Sequence, residues 1–100
     1  MPPGILRVDP QRAAKAAEIV KALGHPLRLR LVAILCESDE HVSAMAEQLG
    51  AKQSIVSQQL RILRIQGLVD VVRSNGHAYY RLAEPRLRQL VQCIEGCSLD

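Results

Sequence analysis

The sequence contains no tryptophan, no phenylalanine and only two tyrosines among its 100 residues. A core without large aromatic rings has to be filled by leucine, isoleucine, valine and alanine. In a chain of this length that core is small, so burial against a second copy is a plausible source of further stability. Three cysteines, an odd number, argue against a secreted disulfide framework. No apolar run approaches the roughly 20 residues that cross a bilayer. The segment Met1–Pro10 lacks the apolar centre of a signal peptide. The expectation is a cytoplasmic protein with reduced thiols and no membrane partner. A glycine-rich phosphate loop, a nucleophile elbow and a zinc-hydrolase motif are all missing, and one small aliphatic core leaves little room for a deep pocket, so an enzyme is not expected.

What is present is a mild positive charge, unevenly placed. The net charge is +3. Between Ala51 and Arg81 the bases Lys52, Arg61, Arg64, Arg73 and Arg81 face a single acid, Asp70, while Glu37, Asp39 and Glu40 cluster earlier in the chain. Basic charge gathered in one half permits a polyanionic partner without requiring one.

The periodicity divides the chain into a flexible arm at residues 1–8, one domain over residues 9–97 and a short tail at residues 98–100. Asp9-Pro10 reads as a helix start, with an N-cap followed by proline at the first helical position. Ala13, Ala16, Ala17, Val20 and Leu23 then recur at helical spacing up to Gly24. Pro26 opens a second helix with Leu27, Leu31, Ile34 and Leu35 inward. A short helix is expected over Ser43–Leu49, ended by Gly50, and a longer one over Gln53–Gln66, with Ile55, Val56, Leu60, Leu63 and Ile62 as its inward residues. Beyond Gly67 the period changes to that of strands, Leu68–Arg73 and Ala78–Leu82, joined through Ser74-Asn75-Gly76-His77, whose Asn-Gly pair is a strong hairpin signal. Pro85 begins a last helix with Leu87, Leu90, Val91 and Ile94 on one face. A lone hairpin is not stable in water and must pack on the helices. The expected fold is therefore mainly α with a small β-hairpin, a winged helix-turn-helix in the order ααααββα.

The helix at Gln53–Gln66 carries the chemistry that reads duplex DNA. Glutamine pairs with adenine edges, arginine with guanine edges, and serine with bases or phosphates. Gln53, Ser54, Ser57, Gln58 and Arg61 supply that set, with Lys52, Arg64 and Arg73 as candidate phosphate contacts. A solvated polar face on an amphipathic helix has the same composition.

Five segments in fixed order resemble the ArsR/SmtB family of winged-helix repressors: His25-Pro26-Leu27-Arg28-Leu29-Arg30-Leu31, Ala46-Glu47-Gln48-Leu49-Gly50, Gln53 to Leu63, Gly67-Leu68-Val69 and Tyr79-Tyr80-Arg81-Leu82. The resemblance spans residues 11–97. It implies a homodimer built on the first and last helices, with the Gln53–Gln66 helix in the major groove of a double-stranded operator. Arg73, Asn75, Gly76 and His77 would then lie on a wing near the backbone or minor groove, and an inducer would release the DNA. Where members of the family carry Cys-x-Cys-Asp, this chain has His41-Val42-Ser43-Ala44, and its last helix has no histidine. Neither of those metal sites is therefore expected.

Cys36, Cys93 and Cys97 leave three readings open. The resemblance implies a switch in which a persulfide or oxidant links Cys36 to Cys93 or Cys97. It equally admits arsenite or another soft ion held by three thiolates. Free cysteines are also ordinary small core residues. Outside transcription, the rival reading is a winged helix that binds protein and whose cysteines are structural.

Overall fold

The structure is a computed structural model and describes residues 4–99. Six helices and one hairpin follow in the order α1 (Ile5–Val8), α2 (Pro10–Leu23), α3 (Pro26–Glu37), α4 (Val42–Leu49), α5 (Gln53–Ile65), β1 (Val69–Ser74), β2 (His77–Leu82) and α6 (Leu87–Glu95). This is a winged helix-turn-helix. The expected arm falls partly on residues 1–3, outside the described residues. Its remainder is corrected at Ile5–Val8, which wind into one helical turn whose last amide bonds run back to Gly4 and Ile5.

Local chemistry sets most boundaries. The Asp9 carboxylate accepts from the backbone amides of Gln11 and Arg12, with Pro10 at the first helical position of α2. The Nδ1 of His25 accepts from the Leu27 amide and starts α3 in the same way. Gly50, at φ 61°, closes α4 in the left-handed conformation that a side chain resists. The last helix starts two residues later than expected. Pro85 and Arg86 form a tight turn instead, in which the Glu84 carboxylate accepts from the Arg86 amide and guanidinium. The hairpin turn is tighter than expected. Asn75 and Gly76, both at positive φ, make the whole loop, and Ser74 pairs with His77 as the last rung.

The core is aliphatic throughout. Leu31, Val32 and Leu35 of α3, Met45 of α4, Val56, Leu60 and Leu63 of α5, and Val69 of β1 are fully enclosed, and no polar side chain is buried among the described residues. Tyr80 only flanks this cluster. Three expectations fail at the surface. Ile55 and Ile62 are 42% and 37% exposed, because the stripe of α5 that fits against α3 and α4 is only three residues wide. Val20 is 64% exposed, because Ile19, Ala22 and Leu23 supply the inward face of α2.

The wing is tied to the helix-turn-helix by two backbone hydrogen bonds. The Glu40 amide donates to the Tyr80 carbonyl at 3.1 Å, and the Tyr80 amide donates to the Glu40 carbonyl at 2.7 Å. The loop between α3 and α4 thereby acts as a third rung beside β2.

Truncating the centre of the core tests this packing. Leu31→Ala should cost about 3 kcal/mol. In urea unfolding at fixed protein concentration, the midpoint should fall with the slope unchanged. A shift of only a few tenths would show that the site collapses around the deletion.

Candidate nucleic-acid interface and the three thiols

One turn of α5 advances 3.6 residues, so with Val56, Leu60 and Leu63 inward, Ser54, Gln58 and Arg61 fall on the opposite ridge. All three are exposed, as are Gln53, Ser57 and Arg64 on the adjoining flank. The polar ridge ends at Ile65, which is 73% exposed. Lys52 occupies the N-cap position of α5 with extended backbone and no side-chain cap, so no side chain covers the first amides of the helix.

The wing brings further candidates to the same end of the molecule. Arg73 and His77 are exposed on the two strands and Asn75 on the turn. His77 and Gln53 line one cleft, which places the wing beside the start of α5. The structure thus gathers the predicted DNA-contacting residues along one ridge and the neighbouring hairpin. His41 and Ser43, at the start of α4, line that cleft too. Sequence reasoning assigned them no binding role, and the signal available, a histidine two residues before a serine at a helix start, is equally that of a cap.

The thiols are arranged differently. Cys36, near the end of α3, is half-buried against the core. The Arg88 Nε of α6 donates to the Cys36 carbonyl at 3.2 Å, fastening α6 to the end of α3. Burial pushes the Cys36 thiol up, the Arg88 charge pulls it down, and Glu95 and Glu37 add to the rise, so the net displacement is upward.

Arg88 and Glu95, seven residues apart, mark the flank of α6 that faces Cys36. Cys93 is five residues from Arg88, about 140° around the helix at roughly 100° per residue. It shares the other flank with Leu90. Cys97 follows the end of α6, and its Sγ lies 3.3 Å from the Cys93 carbonyl oxygen. Both C-terminal thiols are exposed. The three cysteines therefore stand apart within one chain. Among the described residues no three His, Cys, Asp or Glu side chains are grouped to hold a metal ion.

The flank of α6 bearing Leu90 borders a groove of about 620 Å³ against α1 and α2, floored by Leu6, Ala16, Ile19, Leu87 and Leu90. The groove is lined by none of the α5 ridge residues. No helix among the described residues is long and apolar enough to cross a membrane.

Comparison with known proteins gives a consistent match. Residues 25–71, from the start of α3 into β1, match the family described as "Bacterial regulatory protein, arsR family". The Biofilm growth-associated repressor of Xylella fastidiosa (strain Temecula1 / ATCC 700964) is 39% identical over 93 residues, spanning 92% of this chain and 82% of that protein. The crystal structure of the transcriptional repressor BigR from Xylella fastidiosa superposes with a TM-score of 0.75 at 36% identity, covering 88% of this chain and 93% of the other. The homodimeric winged helix-turn-helix DNA-binding domain of a possible ArsR-family transcriptional regulator from Mycobacterium bovis gives 0.76 at 28% identity, covering 87% and 82%.

The thiol environments predict an order of reactivity. Under native conditions iodoacetamide should modify the exposed Cys93 and Cys97 before Cys36, with the sites assigned by peptide mass mapping. The raised Cys36 thiol carries less thiolate at neutral pH, so its rate should keep climbing as pH rises beyond the ordinary thiol range. Arg88→Gln, which removes the favourable charge, should slow it further. Equal rates at all three positions would contradict this.

Proposed function

The chain belongs to the ArsR family of bacterial regulatory proteins, and we propose that it is a homodimeric transcriptional repressor, acting in the cytoplasm, that releases its operator on a thiol-directed signal. The observation that carries the DNA reading is the ridge of Ser54, Gln58 and Arg61 along α5, opposite the buried stripe and beside a basic hairpin. Gln53, Ser54, Ser57, Gln58 and Arg61 contact base edges in the major groove. Lys52, Arg64 and Arg73 neutralise phosphates, and Asn75 and His77 follow the backbone from the wing. Relatives named as repressors support a regulator rather than an enzyme.

Dimerisation is supported by the groove between α2 and α6, by the exposure of Leu6 in its lining and of Val20 one turn beyond Ala16 on α2, and by the homodimeric state of the similar mycobacterial domain. A two-fold axis there gives half-sites of an imperfect palindrome about one helical turn apart.

For release, Cys36 is joined to Cys93 or Cys97. The two thiols give up two protons and two electrons to a persulfide or peroxide-type oxidant as the sulfur–sulfur bond forms. Since Cys36 faces the Arg88 flank of α6 and Cys93 the other, a link to Cys93 demands that the end of α6 turn or unwind. The linked state then differs in shape from the reduced state along the helix that borders the dimer groove. An effector acts only through such a difference between states.

A second reading keeps the same residues. Arsenite exchanges its three hydroxyls for three thiolates with loss of water and without oxidation, and the soft sulfur donors suit it. With the three cysteines apart in one chain, that site also needs α6 to rearrange or thiols from both copies.

Two measurements test these readings. Arg61→Ala and Gln58→Ala should each cost about 1–3 kcal/mol on a selected operator and relax its sequence at one position. Lys52→Ala should weaken binding on every sequence and reduce the salt slope by about 1. Unchanged affinity in all three would favour a protein-binding winged helix. Separately, intact mass and DNA retention are followed after a persulfide donor and after arsenite. A sulfur cross-link or disulfide with loss of DNA supports the redox switch, and a gain of one arsenic with the same loss supports the metalloid reading. No change in either would remove the cysteines from the mechanism of release.

A further inference from the structure

A cleft of about 370 Å³ opens where three elements meet, lined by His41, Val42 and Ser43 at the start of α4, Gln53 at the start of α5, and His77 and Ala78 of the wing. No carboxylate lines it. The Nδ1 of His41 accepts the Ala44 amide at 3.3 Å and lies 2.7 Å from the Ser43 hydroxyl. A ring nitrogen that accepts a backbone N–H carries no proton, so the neutral imidazole carries its proton on Nε2. The ring is steadied edge-on by Tyr79, with centroids 5.7 Å apart at 67°. His41 therefore spends its acceptor inside the protein and keeps one N–H donor, for which the described residues supply no hydrogen-bond acceptor. The Gln53 carboxamide and the His77 ring add donors from the two other elements. The cleft is rich in donors, free of negative charge, and adjoins the first turn of the helix that carries the polar ridge.

We infer that this cleft seats a backbone phosphate of duplex DNA, with His41 as a DNA contact outside the reading helix. The inference rests on the DNA-binding reading above and deepens it. A phosphate held jointly by α4, α5 and the wing fixes the depth at which α5 enters the groove, because phosphate contacts set register while base contacts set sequence. It also gives a second purpose to the Glu40–Tyr80 hydrogen bonds, which hold the wing beside α4. A metal ion is the poorer occupant, since one His41 nitrogen is already engaged and no third His, Cys, Asp or Glu joins the pair.

The test separates the seat from the cap. Aspartate is among the best N-caps, and its charge suits a helix start, so His41→Asp preserves or improves α4 if capping is the whole role. If a phosphate sits there, the same substitution sets like charges against each other. Binding of the full chain to a mixed-sequence duplex, which probes phosphate contacts without knowledge of the operator, is measured by fluorescence anisotropy beside urea unfolding. We expect the unfolding midpoint to hold, and affinity to drop about tenfold for His41→Asp. It should drop about threefold for His41→Asn and for the exposed His77→Ala. The histidine ring resonances should shift with the duplex. Undiminished affinity in His77→Ala and in whichever position-41 variants fold, beside a wild type that binds, would overturn the seat and the His77 contact while leaving the α5 reading in place. A wild type that binds no duplex would overturn the DNA reading with it. Ring shifts with inorganic phosphate but none with duplex would assign the cleft to a free anion and likewise overturn the proposal.

Discussion

Everything in this molecule depends on how three residues of α5 are buried. Val56, Leu60 and Leu63 are closed against α3 and Met45 with no exposed surface. Because the stripe is narrow, the rest of the helix surface is left outside, and the rotation of α5 about its axis is fixed. That rotation, rather than any single polar contact, places Ser54, Gln58 and Arg61 on one ridge. An aliphatic core can do this only by close interdigitation, since no aromatic ring fills the gaps.

The hairpin depends on the same core through Val69 and on the α3–α4 loop through the Glu40–Tyr80 pair. A two-stranded hairpin contributes little stability of its own. Anchored at both points, it becomes a rigid neighbour for the starts of α4 and α5, and its tip carries Asn75 and His77 to the side of the molecule where Gln53 lies. The basic and donor-bearing groups of three elements thus converge on one surface, while the apolar groove of α2 and α6 opens elsewhere. The ridge proposed for DNA and the groove proposed for self-association thereby have separate linings, and α3 reaches toward the groove helix through the Arg88 contact.

The thiols belong to that intermediate ground. Cys36 ends the helix that carries the core, and the carbonyl of the same residue holds Arg88. Chemistry at the Cys36 sulfur is thus four bonds away from the carbonyl oxygen whose contact orients α6. Cys93 shares the flank of α6 that bears Leu90 and Cys97 follows the end of that helix, so events at either end of this thiol set act on one helix.

The sequence by itself determined the order of elements from α2 to α6, the cap at Asp9, the Asn75-Gly76 turn and the polar composition of α5. Each of these depends on neighbours within a few residues, such as a carboxylate two residues from an amide or a glycine at positive φ. Only the tertiary structure decided which apolar residues are inside. Ile55, Ile62 and Val20 fit the helical period yet face out, because the width of a buried stripe is set by the partner helix. It also decided that Cys36 and Cys93 stand on opposite flanks of α6, and that His41 meets Gln53 and His77 in one cleft. Those relations join residues dozens of positions apart, and they follow from the angle at which one packed helix meets another, which local sequence does not encode.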